Sequence, residues 1–141
     1  MSERVRDAMV AAPRTLDVSA TAQEAGEALS RPEVRAVIVC SGTRLAGVVT
    51  RKTLVRAVVA AGLDPGTTRL GDIAEPPYLA LDADMPLEEA FHLLEERDFE
   101  RVPVVEGGGE LVGILSRGVI QRRLAEDEPL PEDEGELAAP L

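Results

Sequence analysis

The sequence predicts an α+β fold made of two strand-helix-strand-strand-helix repeats packed with pseudo-two-fold symmetry. Three observations carry this. Glu100–Val105, the glycines Gly107, Gly108 and Gly109, and Glu110–Ser116 read as strand, tight turn and strand, and a helix runs on towards Leu124. The β-formers Val102, Val104, Val105, Leu111, Val112, Ile114 and Leu115 fall in two short apolar runs. The same arrangement occurs earlier, from Arg35 to Leu54, at a spacing of about 66 residues. Upstream of both, Asp17 answers Asp82, Glu24 answers Glu89, Ala25 answers Ala90 and Leu29 answers Leu94, all about 65 apart. The one-residue change of register is placed between Leu29 and Arg35, which makes Arg35 equivalent to Arg101 and Val37 equivalent to Pro103.

In chain order, Val5–Met9 is a short approach segment and Thr15–Val18 a strand. Thr21 and Glu24 form a capping box for a helix that buries Ala22, Ala25 and Leu29. The hairpin around Gly42 follows, then a helix that should end at Gly62, ahead of the Asp64-Pro65-Gly66 turn. Leu70–Ile73 opens the second repeat, with Tyr78–Leu81 as its first strand. Leu87, Ala90, Phe91 and Leu94 share one helical face, with Pro86 in the tolerated first turn. Pro103, which has no amide to donate, belongs at the start or outer edge of its strand. The expected boundaries are 1–62 for the first repeat, 63–125 for the second and 126–141 for a disordered acidic tail.

Composition sets limits on function. At 141 residues the chain suits one compact domain. Aromatic residues are 2% of the chain, too few for stacking platforms on single-stranded nucleic acid. A net charge of −11 also opposes a nucleic-acid partner. Seven of the 26 acids lie in residues 126–141, so the remainder carries 19 acids against 15 bases and can still hold a small anion at local basic spots. The lone Cys40 reads as a small buried residue, and the N-terminus lacks the apolar stretch of a signal peptide. No apolar run approaches the ~18 residues of a membrane span. A cytoplasmic protein that does not contact membranes is expected. Catalysis is not: His92 is the only histidine, and no nucleophile, base and orienter, and no metal-ligand spacing, stand together.

A paired repeat with a Val-Pro-Val-Val strand, a hairpin, Gly-hydrophobic-hydrophobic-Thr/Ser and a helix resembles a tandem CBS-domain pair, or Bateman module, over about residues 3–125. The resemblance implies clefts between the repeats that bind adenosine-containing ligands such as AMP, ADP, ATP or S-adenosylmethionine. It also implies a homodimer, and regulation of a partner protein whose identity the sequence does not carry.

Thr50 and Ser116 each stand where a strand becomes a helix, so hydroxyl, backbone amides and the positive helix end converge. Each also reads as an ordinary N-cap. Arg51 and Arg117 beside them, and Arg35 and Arg101 ahead of the hairpins, suit either a phosphate or a surface carboxylate. The resemblance implies adenine contacts at Thr15, Leu16, Ala36 and Val37 in the first repeat, and at Tyr78, Leu79, Val102 and Pro103 in the second. The family signature ends in an acid that receives the ribose hydroxyls, three residues after the Thr or Ser. Thr53 and Val119 stand there in this chain. Thr53 offers one neutral hydrogen bond and Val119 none. Two function classes stay open: a ligand sensor with no cofactor and an adenine nucleotide as candidate ligand, and a ligand-free dimerisation or docking module. On the first, adenine nucleotides bind weakly in the first repeat's cleft, and Thr53→Asp tightens them.

Overall fold

The computed structural model describes residues 3–11 and 14–127; the acidic-tail expectation for 126–141 falls almost wholly outside them. Helix α1 (Val5–Ala8) and strand β1 (Val10–Ala11) precede the first repeat, which runs β2 (Thr15–Asp17), α2 (Ala22–Leu29), β3 (Val37–Ser41), β4 (Arg44–Val49) and α3 (Arg51–Leu54). Helix α3 continues as a π-helical turn over Val55–Val59. Helix α4 (Leu70–Ile73) then precedes the second repeat: β5 (Leu81–Asp82), α5 (Leu87–Arg97), β6 (Arg101–Glu106), β7 (Glu110–Ser116) and α6 (Arg117–Asp127). The strands make one mixed sheet in the order β2-β3-β4-β7-β6-β5, with β1 added against β7. Its two halves meet at a narrow seam where Arg44 registers with Glu110. The hairpin at Gly107–Gly109 uses positive φ at all three glycines.

Local chemistry fixes the elements as the sequence suggests. The Thr21 hydroxyl accepts from the Glu24 amide at 3.2 Å, and the Glu24 carboxylate accepts from the Thr21 amide at 2.9 Å. Ala22, Ala25 and Leu29 are buried, as are Leu87, Ala90 and Leu94, with Phe91 packed at the edge of the second core. Asp17 and Asp82 hold matching turns, accepting from the Ser19 amide at 3.0 Å and the Asp84 amide at 2.8 Å. The Ser19 hydroxyl, at 2.7 Å, is the first cause that holds the Asp17 carboxyl below its ordinary range.

The two cores are interlocked. Ala25, Leu29, Val37, Val39 and Val49 form the first, and Leu70, from the segment that opens the second repeat, completes it. Leu81, Leu87, Leu94, Val104, Leu115 and Ile120 anchor the second, and Val5 and Ala8, from the chain start, complete that one. Backbone bonds fix both exchanges: Leu70 donates to Ala20 at 2.8 Å and Gly71 to Val18 at 2.9 Å, while Val5 donates to Met85 and Arg6 to Ala83, each at 2.9 Å. Beyond each short helix the crossing segment runs along the other repeat's hairpin. Glu75 exchanges two backbone bonds with Val48 at 2.8 and 2.9 Å, and Val10 registers with Ile114. A Cβ on Gly47 would stand 2.7 Å from the Glu75 carbonyl oxygen, and one on Gly113 would stand 2.8 Å from that of Val10. Both glycines are therefore set by close backbone approach.

Several expectations are corrected. Val37 registers with Val49 and Val39 with Gly47, while Val104 registers with Gly113. Val39 is thus the counterpart of Val104, Val37 of Val102 rather than Pro103, and Arg35 of Glu100 rather than Arg101. The extra residue lies in the second hairpin turn, not after the first helix. Val5–Met9 is not a mere lead-in but a helical turn with a strand after it. Of Tyr78–Leu81 only Leu81 is in a strand; Pro76 and Pro77 have no amides to pair. Pro103 is the third residue of an interior strand, tolerated where β5 has not yet begun to pair, since β5 registers only with Val104 and Val105. From the apolar helix residues Val55, Val58, Val59 and Ile120 the sequence suggests an uncovered surface, but Val58 and Ile120 are only 3% and 0% exposed, with Ile120 in the second core.

Replacing either Gly47 or Gly113 by Ala forces a methyl against backbone that cannot yield. Each substitution should lower stability in urea unfolding by about 1–3 kcal/mol, the usual cost of overpacking.

Candidate functional site

The two helix starts are built as the sequence indicates, but their polar groups are already engaged. Thr50 caps α3, accepting from the Thr53 amide at 3.3 Å. The Thr53 hydroxyl accepts from the Thr50 amide at 3.0 Å and donates to the Glu75 carboxylate at 2.8 Å. Thr53 is only 2% exposed, so its side chain is committed inside the fold. Arg51 reaches back across the surface to the Arg31 carbonyl at 2.9 Å. In the second repeat Ser116 accepts from the Val119 amide at 3.2 Å. Arg117 lies 3.5 Å from both Asp98 and Glu100.

Glu75 reaches Thr53 because the segment opening the second repeat runs beside β4. Its counterpart beside β7 is Val10, and Val119 takes the place of Thr53 in the second repeat. The first repeat thus carries a Thr-carboxylate pair where the second carries two valines.

Two adjoining clefts lie elsewhere. A smaller one, about 600 Å³, opens between α2 and the starts of β2 and β3, with Thr15, Leu16, Ala28, Val34, Ala36 and Val37 in its walls. A larger one, about 880 Å³, separates the repeats, with Arg35, Ala36 and Ile38 facing Arg101, Val102, Pro103 and Ile114. Arg14, Val34 and Ala36 stand in the walls of both, so the two spaces adjoin. Among the sequence candidates, Thr15, Leu16, Arg35, Ala36, Val37, Arg101, Val102 and Pro103 are brought to this double cleft. Thr50, Arg51, Thr53, Ser116 and Arg117 line neither space, nor does Tyr78, which is 85% exposed and stacked on Phe99 at 6.2 Å.

Arg14, Arg35 and Arg101 are exposed and make no hydrogen bond or ion pair among the described residues. Arg14, Ala28, Val34 and Ile38 are wall residues that sequence reasoning did not select, because nothing in periodicity marks a cleft wall. Glu33 and Glu100 also line the larger cleft. Cys40 is buried, and burial pushes its thiol up, away from nucleophilic use. His92 is exposed on α5.

A protein-family model described as the CBS domain matches twice, over residues 5–60 and 70–126. Hypoxic response protein 1 of Mycobacterium tuberculosis is 32% identical over 122 residues, spanning 86% of this chain and 85% of that protein. A crystal structure of Hypoxic Response Protein I with two coordinated zinc ions aligns with a TM-score of 0.71 at 30% identity, covering 86% of this chain and 98% of that one. A crystal structure of CBSX2 in complex with AMP aligns with a TM-score of 0.68 at 28% identity, covering 87% and 96%. Among the described residues no three His, Cys, Asp or Glu side chains are grouped so as to hold a metal ion. With two matched repeats, interlocked cores and a cleft between them, the chain belongs to the CBS domain family as a tandem pair.

Proposed function

We propose that this protein is a cytoplasmic, non-catalytic regulatory module that senses an adenosine-containing ligand between its repeats and passes the occupied state to a partner protein. The observation that carries the reading is the larger cleft, where Arg14, Arg35 and Arg101 present guanidinium groups that no described carboxylate engages. Such groups suit a phosphate oxygen with bidentate geometry, and the apolar Ile38, Val102 and Ile114 between them suit a base or ribose face. The AMP bound by the similar CBSX2 supports an adenosine nucleotide as the class of ligand.

Dimerisation belongs to the same reading. Val55, Val59 and Leu63 are 57%, 72% and 47% exposed along and just beyond the π-helical turn. An apolar strip of this kind favours cover by a second copy. Light scattering should give about twice the chain mass of 15.0 kDa, and Val59→Glu should return it to the monomer value.

A thermal-shift panel of AMP, ADP, ATP and S-adenosylmethionine tests the sensor reading, because a ligand that prefers the folded state raises its melting temperature. A rise with at least one member is expected. A flat panel would hand the fold to the ligand-free docking or dimerisation reading.

Geometry changes the outcome expected for Thr53→Asp. An aspartate there, buried, would face the Glu75 carboxylate within hydrogen-bonding distance and without a shared proton. The single variant should melt lower than the parent and bind AMP no better. Adding Glu75→Gln should restore the melting temperature by removing the facing charge, and AMP affinity should still be unchanged because residue 53 lines neither cleft. Thermal melts and calorimetric titration of the single and double variants check these outcomes.

A further inference from the structure

Three arginines converge on one cleft of a body that is acidic overall. Outside residues 126–141 the chain carries 19 acids against 15 bases. Arg14, Arg35 and Arg101 nonetheless line the larger cleft, lie exposed, and engage no carboxylate among the described residues. Other arginines of the fold are matched at short range: Arg6 lies 2.9 Å from Asp84 and 3.0 Å from Glu106. Of the two acids on the cleft wall, Glu33 and Glu100, the second is already held by Arg117 at 3.5 Å. Walls of one sign facing each other concentrate the field between them.

The chain carries the complementary charge just beyond α6. Residues 128–136 hold Glu128, Glu132, Asp133, Glu134 and Glu136 and no base. Helix α6 starts beside the cleft: Ser116 registers with Arg101, and the Arg117 amide donates to the Glu100 carbonyl at 2.8 Å. From Arg117 to Asp127 the helix advances by about 15 Å. An extended chain covers about 3.3 Å per residue, so Glu132 can return about 17 Å from Asp127 and Glu136 about 30 Å. Glu128 is too close to the helix end to come back. The four acids from Glu132 to Glu136 are the ones with the reach to meet Arg101 and, across the cleft, Arg35.

We propose that residues 132–136 fold back over the larger cleft of their own chain, setting their carboxylates on Arg14, Arg35 and Arg101. Carboxylates match the guanidinium fork. Single exposed pairs of this kind are weak, but several act together here, and a tethered segment works at an effective concentration in the millimolar range. A free anion must then displace the acidic segment to enter. Its arrival releases that segment, so occupancy changes the surface that a partner meets. The inference goes beyond the adenosine-ligand reading and does not depend on it, since both halves of the contact belong to this chain.

Paramagnetic broadening in the full chain tests the contact. A nitroxide is attached at Leu137→Cys, beside the acids, while Cys40 is buried and stays unlabelled. The backbone amide signals of Arg35, Ala36 and Arg101 should lose most of their intensity. Raising the ionic strength from about 0.05 M to about 0.5 M should restore them. Neutralising the segment (Glu132→Gln, Asp133→Asn, Glu134→Gln and Glu136→Gln together) should restore them at low salt, as should Arg35→Gln with Arg101→Gln. All six changes are outside the cores. The neutralised segment should also let inorganic triphosphate bind about tenfold more tightly in calorimetry, the factor expected if the segment covers the cleft about nine-tenths of the time. Undiminished signals in the parent, or broadening that survives neutralisation, would overturn the inference. So would broadening seen only between chains, when a labelled chain is mixed with an isotopically marked one, because the segment would then cover a second copy. An unchanged triphosphate affinity would overturn it too, and triphosphate binding to neither chain would remove the cationic cleft on which it rests.

Discussion

The fold depends on the exchange of opening segments between the repeats. Leu70 is fully buried in the first core and Val5 in the second, yet each arrives from outside the repeat it completes. Full burial of one such side chain contributes about 1.5–3 kcal/mol, a sizeable part of the net stability of a small domain. The crossing segments also dictate glycine at Gly47 and Gly113, because their backbones run where a Cβ would be.

The repeat itself was legible in the sequence, since Asp17 and Asp82, or Leu29 and Leu94, announce it by spacing alone. Capping was legible too, because Thr21 with Glu24, Thr50 and Ser116 act on neighbours within a few residues. The exchange was not. An apolar residue such as Leu70 or Val5 states that it will be buried but not against what. Register failed for a related reason: Arg35 and Arg101, or the Val-Ile-Val and Val-Pro-Val runs, look alike by type, while hydrogen bonding sets the true pairing and puts the extra residue in the glycine turn.

The candidate site was read in part. Hydroxyls and arginines at the helix starts read from sequence as suited to anions, but their availability is a tertiary property. Thr53 meets Glu75 from 22 residues away, and Arg117 meets Asp98 and Glu100. The cleft walls were recognised where strands begin, at Ala36, Val37 and Val102. Ala28, Val34 and Ile38 also stand in those walls, and no periodicity marks them before the strands are paired.

The interlocking also orders events during synthesis. Val5 is made well ahead of most of the core that it completes, which includes Leu115 and Ile120 near the end of the described fold. Contacts so distant in sequence slow folding, since the intervening chain must be closed before they form. The first repeat can finish its core as soon as Leu70 has been made, whereas the segment holding Val5 must wait, uncovered, through two further helices and three strands. A nascent chain halted between the repeats would present Val5 and Ala8 to solvent and would be a natural client for a chaperone that holds short apolar segments.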